Sequence, residues 1–66
     1  MTKRDKLFKW AAKKDWFYLA DVPWQTFGMT RQDASTALID FCKQGRADFR
    51  IVGLKQYKVK NEYKES

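Results

Sequence analysis

A chain of 66 residues with a formal net charge of +6 holds one small domain and leaves no room for a second. Its balance of 44% hydrophobic and 33% charged residues is globular, and a 17% aromatic content supplies large rings to a core that is marginal at this size. No histidine and a single cysteine, Cys42, exclude an intramolecular disulfide and a Cys/His zinc site; no cofactor or small-molecule ligand is implied.

The N-terminal stretch, MTKRDKLFKWAAKKDW, is too charged to hold a signal-peptide apolar region. No apolar run approaches the roughly 18 residues of a membrane span, so a cytoplasmic protein without a membrane partner is expected. The same stretch reads as a first helix. Thr2 or Asp5 can cap it, and Leu7, Phe8, Ala11 and Ala12 form one stripe of a helical period. Trp16-Phe17-Tyr18-Leu19 has strand character and reads as a short strand or an extended connector. Asp21 and Pro23 suit the start of a short second helix, running through Trp24 and Phe27 and stopping at Gly28.

The third helix, residues 30–45, has the clearest pattern. Thr30 caps it, Asp33 stands at the capping-box position, and Gly45 ends it. Ala34, Ala37, Leu38 and Phe41 recur at i, i+3, i+4 and i+7, with Cys42 on the margin of the stripe. The period then changes to two. Phe49 and Ile51 alternate with Asp48 and Arg50, and Tyr57 and Val59 alternate with Gln56, Lys58 and Lys60. Gly53 supplies the turn of a hairpin, whose apolar face is expected against the helices and whose basic face is expected in solvent. Residues 61–66 have no pattern and are expected to fray as a tail of the single domain 1–66.

The stretch Leu19-Ala20-Asp21-Val22-Pro23-Trp24-Gln25-Thr26-Phe27-Gly28-Met29-Thr30-Arg31-Gln32-Asp33-Ala34-Ser35-Thr36-Ala37-Leu38, closed by Phe41-Cys42-Lys43-Gln44-Gly45, resembles the winged helix-turn-helix superfamily. The likeness extends from Asp15 to Lys60 and is one of topology and pattern. It implies an α+β fold of three helices with a C-terminal β-hairpin wing, and a short third strand at 16–19 is compatible with it. It also implies DNA binding, with the third helix in the major groove and the wing on the backbone.

The residues support a similar reading by themselves. At about 100° per residue, the apolar stripe leaves Gln32, Ser35, Thr36, Ile39 and Lys43 on the outer face, with Arg31 at the exposed N-terminal end. Arg31 can pair with guanine and Gln32 with adenine, while Ser35 and Thr36 are short enough to approach base edges. Ile39 fits a thymine methyl, a dimer contact or a partly buried site. Residues 1–15 carry six bases and two acids, residues 16–40 one base and three acids, and residues 41–66 seven bases and three acids. Phosphate attraction is therefore expected from Lys3, Arg4, Lys6 and their neighbours and, around the wing, from Lys43, Arg46, Arg50, Lys55, Lys58 and Lys60, with Thr30 as a further phosphate contact. Asp33 and Asp40 would repel phosphates unless they are paired internally.

Catalysis has little to work with. There is no histidine base, Cys42 and Ser35 have no visible activating partner, and no glycine-rich phosphate loop exists. The expected function is sequence-specific binding of double-stranded DNA by a small bacterial or phage transcriptional regulator, with a homodimer or protein partner left open. The alternatives are a protein-binding adaptor or inhibitor that uses the acidic middle region, and RNA or ribosome binding.

Overall fold

The structure is a computed structural model that describes residues 2–63. The first helix, α1, spans Lys3–Ala12 and begins at Thr2, whose Oγ1 accepts from the Asp5 amide at 3.1 Å. Asp5 Oδ2 accepts in return from the Thr2 amide at 3.1 Å. The donation from the Thr2 backbone, followed by that from its hydroxyl, holds the Asp5 carboxyl below the usual carboxylate range. Of the expected stripe, Leu7, Ala11 and Ala12 are buried, and Phe8 is half-buried against the same core. A short strand, β1, follows at Phe17–Tyr18.

The second helix does not form. The Asp21 carboxylate accepts from the Tyr18 amide at 3.1 Å, closing a 3₁₀ turn over Leu19–Asp21, and so is not available as a cap for the residues after it. From Pro23 to Gly28 the chain makes successive turns: Thr26 N–H donates to the Pro23 carbonyl, Phe27 to Trp24 and Gly28 to Gln25. So short a stretch, Pro23 to Gly28, cannot offset the cost of a helical nucleus, and Trp, Thr and Phe are weak helix formers. Among the described residues there are therefore two α-helices rather than three.

The second of these, α2, spans Arg31–Lys43 and keeps the expected bounds. Thr30 Oγ1 accepts from Asp33 N–H at 3.1 Å, and Asp33 Oδ2 accepts from Thr30 N–H at 3.3 Å, so the shorter Asp closes the capping box. At the other end Gly45 takes φ +77°. Gly45 N–H donates to Cys42 and Arg46 N–H to Phe41, the paired bonds of a Schellman exit. Thr30→Ala is expected to cost about 1 kcal/mol, lowering Tm by roughly 4–8 °C in a domain this small. A thermal melt followed by circular dichroism checks it.

Two further strands, β2 (Ala47–Val52) and β3 (Leu54–Val59), form the hairpin around Gly53 at φ +72°. The sheet is antiparallel with order β1-β3-β2, and Phe17 pairs with Tyr57 while Phe49 pairs with Tyr57 from the other side. Phe17, Ala47, Tyr57 and Val59 share one face and enter a single core with Leu7, Ala11, Ala34, Ala37, Leu38 and Phe41. Alanines at 11, 34 and 37 are fully buried, which lets the elements approach closely. Phe8 meets Phe41 edge-on at 5.0 Å, and Trp10 meets Phe17 at 5.1 Å.

The expectation for the hairpin holds in register and fails in depth. Phe49 and Ile51 point to the helix-bearing face, yet they are 53% and 72% exposed. Val52 and Leu54 at the tip are exposed as well. Helices cover the base of the hairpin, where Ala47, Tyr57 and Val59 lie, and its outer half extends past them. Asn61–Tyr63 forms a 3₁₀ turn whose Tyr63 ring meets Phe8 edge-on at 6.2 Å. The rest of the tail expected to fray, residues 64–66, lies outside the described residues.

Candidate nucleic-acid interface

The exposed side of α2 divides into two flanks. Gln32 and Thr36 face α1, where they line a shallow hollow of about 280 Å³ with Lys3, Arg4, Met29 and Asp33. Arg31 faces the hairpin and lines a hollow of about 210 Å³ with Tyr18, Leu19, Ala20, Leu54, Lys55 and Tyr57. Further along the same flank, Ile39, Cys42 and Lys43 meet Phe49 and Lys55 around a third hollow of about 230 Å³. Lys55 lines both hairpin-side hollows, which are taken together as the groove between α2 and the hairpin. Ser35, half-buried, lies on this flank by helical period.

Within this arrangement the two acidic side chains of α2 are committed internally. Arg4 Nη1 donates to Asp40 Oδ2 at 2.8 Å, and Asp33 is held in the capping box. The repulsion that they would offer a phosphate is thereby reduced. Arg31, Gln32, Thr36 and Lys43 are exposed and have no side-chain hydrogen bond or ion pair among the described residues. Thr30 Oγ1 is used as an acceptor, which leaves its hydroxyl proton available to a phosphate.

The cations read as phosphate contacts do not share one surface. Lys43 and Lys55 flank the groove, with the Lys55 ammonium 4.5 Å from the Phe49 ring centre and 5.4 Å from that of Tyr57. Arg50 and Lys58 lie on the opposite face of the sheet, because strand alternation separates 50, 56 and 58 from 55 and 57. There Arg50 Nε donates to buried Gln56 at 2.7 Å, and its guanidinium lies 4.2 Å from the Trp16 ring. Lys58 pairs with Asp15 at 3.3 Å and also faces Trp16. Arg46 lies over the Phe8 ring at 5.3 Å, beside α1. Lys60 approaches Asp48 at 4.0 Å at the base of the hairpin.

Phe49, Leu54 and Cys42 also line the groove, although the pattern of the chain does not mark them as contacts. Strand parity carries a signal for Phe49, since positions 49 and 55 share it. Burial pushes the Cys42 thiol above its ordinary pKa, so it stays a neutral, weakly reactive group near neutral pH. No cluster of three or more metal-ligating side chains occurs among the described residues, and no helix among them is long and apolar enough to cross a membrane. No protein-family model, curated protein or solved structure matches this chain.

Proposed function

We propose that the chain binds double-stranded DNA sequence-specifically, as a winged helix-turn-helix domain of a small bacterial or phage transcriptional regulator. In this reading α2 enters the major groove and the β2–β3 hairpin lies along the backbone. The protein acts by binding, without chemistry of its own, and works in the cytoplasm on the nucleoid. One observation carries the proposal: the outer face of α2 presents Arg31, Gln32, Thr36 and Lys43 unengaged, while its two carboxylates are tied down by Arg4 and Thr30. A helix presented this way has donors and cations for base edges and phosphates. In the segment before α2, a run of turns from Pro23 to Gly28 stands where the resemblance implies a short helix.

Titrating random-sequence duplex at two salt concentrations tests the proposal. Affinity is expected to fall as salt rises, each phosphate neutralised by a cation adding about 0.9 to the log–log slope. No binding to duplex at low salt sinks it. A second reading, a protein-binding adaptor on the same scaffold, is favoured by the exposed Phe49, Ile51, Val52 and Leu54. The acidic middle gives it less support, since Asp21, Asp33 and Asp40 are each engaged within the chain.

A further inference from the structure

β2 is a free edge of the sheet among the described residues. Lys60 N–H donates to the Arg46 carbonyl at 2.9 Å, and the register continues through Asp48 with Lys58 and Arg50 with Gln56. Hydrogen-bonded and non-bonded pairs alternate along an antiparallel ladder. The backbone groups of Asp48, Arg50 and Val52 therefore turn toward β3, and those of Ala47, Phe49 and Ile51 turn outward. An edge with Phe49 and Ile51 exposed beside unpaired amides is a template for another strand.

We propose that this strand is a second copy of β2, paired antiparallel about a two-fold axis through Phe49. The register sets Phe49 opposite Phe49 of the second copy, Ala47 opposite Ile51 and Asp48 opposite Arg50. Outward amides at 47, 49 and 51 all find outward carbonyls. Asp48 and Arg50 fall in the non-bonded pairs, where facing side chains come closest, and their charges are opposite. Sliding the pair by two residues either way keeps the hydrogen bonds but sets Asp48 against Asp48 or Arg50 against Arg50. Charge thus favours this register over its two neighbours. On the helix-bearing face the pairing brings the two Phe49 rings together, each beside Ile39 of its own α2, and covers Ile51. The axis is perpendicular to the sheet, so both α2 helices stand on the same face of a six-stranded sheet. This isologous dimer does not depend on the DNA reading.

Sedimentation of the full chain without nucleic acid, across its soluble concentration range, tests the proposal. A reversible dimer is expected. Asp48→Arg and Arg50→Asp alone should each weaken it roughly ten-fold, since both copies lose a cross-strand pair and gain a like-charge one. The double exchange D48R/R50D should restore it, and a melt of each Arg50 variant confirms that the chain is folded, because that guanidinium also holds Gln56 and covers Trp16. Phe49→Pro removes an outward amide and no bond to β3, so it should give a monomer with an unchanged circular dichroism spectrum. A wild type that stays monomeric overturns the proposal. So does a dimer that survives Phe49→Pro, or single reversals no weaker than the double exchange.

Discussion

Leu38→Ala is expected to lower Tm by about 10 °C or more, and to leave a chain that no longer melts cooperatively if the wild type is of ordinary stability. Leu38 is 1% exposed and lies where α2 meets the sheet, among Ala34, Ala37 and Phe41. Truncating such a leucine removes its transfer energy and leaves a cavity, together about 2–5 kcal/mol. A domain of this length has only about 3–10 kcal/mol in total, so the loss is a large share of the whole. The next residue provides the control. Ile39 is 37% exposed, and Ile39→Ala should cost under about 1 kcal/mol. Chemical denaturation of the two variants side by side checks the pair. Equal losses would mean that α2 does not turn Leu38 to the core and Ile39 away from it.

That contrast shows where periodicity is informative. Leu38 and Ile39 differ by one step of a helix, and the spacing of Ala34, Ala37 and Phe41 is enough to separate them. The same holds for Thr30 and Gly45, because a capping hydroxyl and a left-handed exit are local events that few residue types supply. Strand alternation likewise puts Phe49, Tyr57 and Val59 on one face. It does not say whether anything covers that face. Tyr57 and Val59 are buried and Phe49 is not, because coverage depends on how far the helices reach over the hairpin, a tertiary quantity. The second helix fails for a related reason: Asp21 is a good cap in isolation, but its carboxylate is engaged by the Tyr18 amide. For the candidate site, the individual side chains are legible in the sequence and their grouping is not. Arg50, Lys55 and Lys58 are neighbours in sequence and read as one basic wing, yet parity sends Lys55 to the groove and the other two to the far face.

This division of cations gives the largest expected effects on DNA binding. If α2 lies in the major groove, Lys43→Gln and Lys55→Gln should weaken binding to all duplexes alike, each reducing the salt slope by about 0.9. Arg50→Gln and Lys58→Gln, on the face turned away from α2, should leave the slope nearly unchanged. A melt of Arg50→Gln is needed beside the titration, because its guanidinium also holds Gln56 and covers Trp16. Arg31→Ala and Gln32→Ala should behave differently from all four. Each is expected to remove about 1–3 kcal/mol of discrimination between the preferred duplex and a scrambled one, roughly 5- to 150-fold, with little change in binding to the scrambled site. The duplex to use is one selected from a random pool by the wild-type protein. Should Arg50 and Lys58 carry the salt dependence while Lys43 and Lys55 do not, the polyanion lies against the outer face of the sheet. The two flanks of α2, with Arg31 on one and Gln32 and Thr36 on the other, would then be turned away from it, and the major-groove placement would fall.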